Sequence, residues 1–148
     1  MSTNKATPFL MFNDNLDAAL KLYAQVFPDT KVLMRAGQQA EFVVGGQRFM
    51  AFEGGPHFKF SDAFSVFIDC EDQAEVDRYW NALLAAGSKP TMCGWINDPF
   101  GLAWQIVPRR FMQLMADPNP KKVKAVVDAM LKMQKLDVAE LEKAHREA

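Results

Sequence analysis

The chain has 148 residues, 49% of them hydrophobic and 24% charged, with a formal net charge of -1. That length suits one domain, or two small modules sharing a core, and the apolar content argues against disorder. The charge balance gives no electrostatic footprint for nucleic acid or an anionic membrane, and no apolar run of about 18 residues could form a transmembrane helix.

Met1 to Lys5 shows no signal-peptide pattern and leads into Pro8 to Phe12, a short apolar run that predicts a buried strand. Asn13-Asp14-Asn15 then offers helix N-caps. Leu16, Ala19, Leu20, Tyr23 and Phe27 recur at helical spacing, and Pro28-Asp29 ends that helix. Lys31 to Arg35, Glu41 to Val44 and Gln47 to Glu53 predict strands, the last two joined by a Gly45-Gly46 hairpin. Gly54-Gly55-Pro56-His57 opens a loop reaching about Asp62, and Phe64 to Asp69 predicts the next strand.

Asp72 and Glu75 make a capping-box pattern before a second amphipathic helix carrying Val76, Tyr79, Trp80, Leu83 and Leu84. Gly87 is the expected C-cap. Cys93 to Pro108 then reads as strand, tight turn, strand, with the turn at Asn97-Asp98-Pro99 and Gly101. Gln105 is the one polar side chain inside the apolar strand Leu102 to Val107, so it needs partners or a ligand.

The two halves superimpose at an offset of 56 residues. Phe12 falls on Ile68, Ala18 on Ala74, Leu20 on Val76, Tyr23 on Tyr79 and Phe27 on Leu83, with Leu16 on Asp72 as a mismatch. A repeated βαβββ-type unit is the expectation, with chance similarity of two amphipathic segments as the alternative. After Pro108 the composition turns helical: Arg109 to Met115, a helix capped by Asn119 with Pro120 at its first position, and a last one opened by Asp137 and Glu140. The apolar face of this tail must bury against the same subunit, a partner or a ligand, and its lysines read as a solvated face.

The residues Pro8-Phe9-Leu10-Met11-Phe12, Phe49 to Pro56, Phe58-Lys59-Phe60, Cys93-Gly94-Trp95, Asp98, Phe100-Gly101 and Trp104 to Pro108 resemble one family. It is the PhnB-like branch, the "3-demethylubiquinone-9 3-methyltransferase domain", of the glyoxalase, bleomycin-resistance and dioxygenase (vicinal oxygen chelate) superfamily. The tail, with Ala129 to Met133 and Leu136 to Leu141, resembles it as well. The resemblance implies an α+β fold in which two βαβββ modules form a curved mixed sheet around a pocket. It implies a homodimer with pockets near the subunit junction. The expected organisation is one domain over 1–148, with module 1 at about 6–54, module 2 at about 63–108 and a helical extension at 109–148.

Metal-dependent members of the superfamily place His, Glu or Gln ligands on pocket strands, where the metal acts as a Lewis acid. Carried over, the first ligand position falls on Pro8 or Phe9, the third on Ala63 or Phe64, and the last on Gln105. The strand ending module 1 offers Glu53 at best. One amide and one carboxylate fall short of the three protein ligands a transition metal needs, so no metal site is expected. No cofactor is expected either, because no glycine-rich loop runs from a strand into a helix.

The candidate ligand-binding residues are therefore Gln105, Trp95, Glu53 and His57. Gln105 either meets a ligand or is tied to its neighbours. Trp95 is read as a pocket wall and Trp104 as core. Glu53 is a weak candidate general base if buried, and otherwise a solvated strand end. His57 joins only if its loop folds inward. Cys70 and Cys93 form no CxxC pair and read as packed thiols in a reduced, cytoplasmic protein. The expected function is binding of a small organic molecule without a metal centre. The alternatives are a metal-dependent lyase or dioxygenase and, by family label only, a methyltransferase.

Overall fold

The structure, a computed structural model, describes residues 5–148; Met1 to Asn4, the start of the stretch without a signal-peptide pattern, lie outside the described residues. The chain divides into two compact units, one ending at Phe60 and one beginning at Ser61.

The first unit runs β1 (Phe9–Phe12), α1 (Leu16–Val26), β2 (Lys31–Ala36), β3 (Gln39–Val44) and β4 (Gln47–Glu53). Its sheet order is β1-β4-β3-β2, with β1 parallel to β4 and the rest antiparallel. The Gly45-Gly46 turn has both φ angles positive, at 55° and 86°, which only glycine adopts without strain and which matches strand twist. Alternation along the strands puts Leu10, Phe12, Phe42, Phe49 and Ala51 on one buried face. Tyr23 of α1 stacks on Phe42, and Phe42 on Phe49, with ring centroids 6.1 and 5.3 Å apart. That is the face α1 covers.

The second unit runs β5 (Ser65–Cys70), α2 (Gln73–Ala85), β6 (Lys89–Pro90), β7 (Trp95–Asn97) and β8 (Ala103–Pro108). Its order, β5-β8-β7-β6 with β5 parallel to β8, repeats that of the first sheet strand for strand. The repeat is thus structural: the offset of 56 holds from β1 to β5, the ladder registers make it 53 (105 − 52) from β4 to β8, and each module forms its own four-stranded mixed sheet. The Asp72 side chain accepts from the Glu75 N–H at 2.9 Å, and Gly87, at φ +96°, follows the Ala86 C-cap. The two-residue strand β6 carries no periodicity and was invisible in the sequence.

Three helices complete the second unit: α3 (Arg109–Met115), α4 (Pro120–Met130) and α5 (Val138–Arg146). Asn119 accepts from the Lys121 N–H at 3.0 Å and Asp137 from the Glu140 N–H at 3.2 Å, so both expected caps form. Leu114, Val126, Leu136 and Leu141 bury against Val107 of β8, with Phe111, Met115, Met130 and Met133 around them. The tail therefore buries its apolar face on its own second module. No helix among the described residues is long and apolar enough to cross a membrane.

The elbow between α4 and α5 is tied down by backbone hydrogen bonds and by one side chain, Gln73. Cys93 N–H donates to Met133 O at 2.9 Å, and Gly94 N–H to Gln134 O at 2.7 Å. From α2, the Gln73 amide donates to Leu136 O at 3.0 Å and accepts from Val138 N–H at 2.7 Å.

Candidate functional site

In the second sheet, Gln105 of β8 pairs with Trp95 of β7 on one side and Phe67 of β5 on the other. Directly opposed ladder residues share a face, so Phe67, Gln105 and Trp95 form one row. The alternating residues Ile96, Trp104 and Ile106 point the other way and are buried. The row is more open: Phe67 is 46% exposed, while Gln105 and Trp95 are half-buried. The Gln105 amide donates to Ser65 Oγ at 2.9 Å. Its N–H side is thus partly satisfied by the fold, and its carbonyl oxygen is an acceptor on the same face.

Trp104 is settled by Asp98, which the sequence marked only as turn chemistry. Asp98 Oδ1 accepts from the N–H groups of Phe100 and Leu102 at 2.9 and 3.0 Å. Its Oδ2 accepts from Trp104 Nε1 at 2.9 Å, with the whole carboxylate buried. A buried carboxylate requires such partners. Asp98 thereby shapes the β7–β8 turn and pins the indole to the helix-covered face.

Glu53 is placed differently from the expectation. In the ladders Met11 stands where Phe67 does (67 − 56), and it pairs with Phe52 as Phe67 pairs with Gln105, so Phe52 is the counterpart of Gln105 by position in the sheet, at the closing-strand offset of 53. Glu53 lies one residue further and hence on the opposite face, because a one-residue step inverts a strand side chain. There Glu53 Oε2 accepts from the Leu16 N–H at 3.1 Å, and Oε1 meets Arg35 Nη2 at 3.4 Å. Arg35 Nε also holds Asp17 in the first turn of α1 at 2.7 Å. Glu53 thus caps α1 from 37 residues away, a task the sequence assigned to Asn13, Asp14 or Asn15. Asn15 holds the N-cap position but makes no side-chain cap bond. A carboxylate at a helix N-terminus satisfies an orphan donor and the dipole together. Glu53→Ala is expected to cost about 1–2 kcal/mol, read as a lower urea midpoint, and Glu53→Gln less. An unchanged midpoint in both variants would remove the capping role.

His57 is exposed on its loop in the first unit, its N–H donating to Gly55 O at 2.8 Å. Gln105 and Trp95 are brought together; Glu53 and His57 belong to the other unit. Both cysteines are free. Burial pushes the Cys70 thiol up to about 12, helped by nearby Glu75 and Asp69, so it stays protonated and serves packing. Cys93 stands at φ +57°, beside a cavity of about 510 Å³ lined by Asp62, Thr91, Met92, Cys93, Trp95 and Met130.

The donor set does not suit a metal of the superfamily type. Gln105 has Phe67 and Trp95 for row neighbours, and its repeat counterpart Phe52 has no donor atom. Pro8, Phe9, Ala63 and Phe64 supply none either. Among the described residues, no three His, Cys, Asp or Glu side chains converge. A nucleotide-type cofactor fits no better, since no glycine precedes α1 or α2 within the turns that open them.

A structure of the PhnB protein of Bacillus cereus, described as a putative 3-demethylubiquinone-9 3-methyltransferase, matches with a TM-score of 0.63 at 26% identity. The match covers 71% of this chain and 99% of that one. FosX of Listeria monocytogenes, a fosfomycin resistance protein solved with Mn(II) and sulfate, matches at TM-score 0.54 and 14% identity over 70% of this chain and 88% of its own. A glyoxylase/bleomycin resistance protein/dioxygenase domain from Frankia matches at 0.51 and 19%, covering 70% and 95%. The last two share the fold alone. No curated protein matches the chain. The family model covers residues 4–107 and stops before the helical tail, so the likeness read in the tail is not carried by that model. By that match, on a glyoxalase/bleomycin-resistance/dioxygenase fold, the chain belongs to the 3-demethylubiquinone-9 3-methyltransferase family.

Proposed function

We propose that the protein binds a small organic molecule on the open face of its second sheet, at the Trp95–Gln105 pair. The observation that carries this reading is the ladder register: an indole and an amide are direct cross-strand partners on the face opposite Trp104 and Ile106. Pockets for small molecules combine apolar and aromatic walls with a few polar groups that fix orientation. Trp95 also walls the adjoining cavity. The reading includes a homodimer and a reducing, cytoplasmic setting; two unpaired cysteines, one deeply buried, support the latter.

Native mass spectrometry of freshly purified protein tests it. The expected spectrum is a dimer carrying a small-molecule mass, reduced at least about tenfold in Trp95→Ala and in Gln105→Ala. A ligand-free wild-type spectrum, or full retention of the bound mass in both variants, would overturn the binding reading. A monomer at micromolar concentration would overturn the dimer.

A further inference from the structure

The cavity beside Trp95 has a lining that selects for charge. Two thioethers (Met92 and Met130), the Cys93 thiol and the Trp95 indole make its soft, polarisable walls. Among the described residues that line it, Asp62, at an exposed position, is the one carboxylate, and none is a lysine or arginine. Asp62 takes part in none of the ion pairs that tie up Asp17, Glu41, Asp69, Glu142 and their partners. An indole face attracts a cation through its quadrupole, and thioethers accommodate an alkyl or aryl body without a directional demand. An anion would meet the Asp62 carboxylate with no cationic side chain among these lining residues to offset it. The volume, about 510 Å³, lies within the range of small-molecule sites.

We infer that this cavity binds a small organic cation, a primary amine on an apolar body, with the ammonium group between Asp62 and the Trp95 face. The inference rests on the proposed ligand site in sharing Trp95, and adds the ligand's charge and a further residue, Asp62. It also gives the tail a part in binding. Met130 is the C-terminal residue of α4, beyond the family-matched region, and the Cys93–Met133 and Gly94–Gln134 hydrogen bonds hold that end of the helix beside the cavity.

Three probes of similar size test it at pH 7: 2-phenylethylammonium, its isostere 2-phenylethanol, and phenylacetate. Trp95 emission and calorimetry are the readouts, since Trp80 and Trp104 are 4% and 1% exposed and report little of the surface. The amine is expected to bind at least tenfold more tightly than the alcohol, and the acid more weakly than both. Asp62→Asn, at an exposed position, is expected to erase the amine's advantage and leave the alcohol within twofold. Met130→Ala should weaken amine and alcohol alike. Equal binding of acid and amine, a preference that survives Asp62→Asn, or no binding of any probe overturns the inference. If that happens while a Trp95-dependent mass persists in native spectra, the ligand site stands and only its charge preference falls. If Trp95→Ala displaces nothing, both fall.

Discussion

Replacing Asp98 with alanine is expected to cost about 2–5 kcal/mol, since each buried N–H that loses this acceptor costs about 1–3 kcal/mol. The donors that converge on this carboxylate include the Phe100 and Leu102 N–H groups and Trp104 Nε1. Removing it leaves the Leu102 N–H and the indole N–H buried without their acceptor, and the desolvation cost of each is then uncompensated. Asp98→Asn separates the two jobs. Its amide oxygen still accepts from the two backbone donors, but its NH2 group faces the indole N–H, donor against donor. The Asn variant should therefore lose about half as much, and adding Trp104→Phe should recover part of that loss. Urea denaturation of the four proteins measures it. A loss below about 1 kcal/mol in Asp98→Ala, the value of an ordinary neutral hydrogen bond, would show that the carboxylate does not organise the turn.

Gly94→Ala is expected to lower stability by about 2–4 kcal/mol, combining left-handed backbone strain with overpacking. Gly94 lies at φ +84°, and an added Cβ would sit 3.0 Å from two Leu136 carbons and 3.2 Å from the Ile106 carbonyl oxygen. The neighbouring backbone is hydrogen-bonded to the α4–α5 elbow, so the extra methyl pushes on the latch that docks the tail. Gly87→Ala is the matched control. Gly87 has φ +96° with open space around the added carbon, so it carries the strain of about 1–2 kcal/mol without the crowding. Hydrogen exchange should show α4 and α5 losing protection in Gly94→Ala and keeping it in Gly87→Ala. Equal losses in the two variants would mean that close approach of the tail contributes nothing.

Much of the architecture was legible because its signals are local. Helical spacing marked α1 and α2, the Gly45-Gly46 pair marked its hairpin, and Asp72, Asn119 and Asp137 marked helix starts that the structure confirms. The repeat was legible too, since equivalent elements must bury equivalent faces. Its one mismatch, Leu16 against Asp72, has a physical account. The second helix carries its own cap at Asp72, whereas the first receives its cap from Glu53 on a distant strand. No local pattern announces a cap supplied across 37 residues.

Of the candidate site, the Trp95–Gln105 pair was legible in kind, because an indole and an amide in an apolar strand pair call for an explanation. Their facing was not legible: it depends on which residues of β7 and β8 stand opposite each other. Glu53 shows the same sensitivity from the other side. It was a candidate because it ends the right strand, and the β1–β4 register turns it to the α1 face with Phe52 in the position equivalent to Gln105. A period of two makes every such assignment turn on a single residue of register.

By itself, then, the amino-acid sequence determined the class of fold, the order and kind of the main elements, the duplication and the family. The element order and the duplication follow from periodicity and turn chemistry acting over a few residues, and the class of fold and the family from the resemblance that the short motifs carry. The tertiary structure alone decided what those elements face: Glu53 under α1, Trp104 on Asp98, Leu136 against Gly94, and Phe67, Gln105 and Trp95 in one row. These depend on strand pairing and on hydrogen bonds between residues far apart in the chain, where the partner of a group is chosen by packing rather than by its neighbours in sequence.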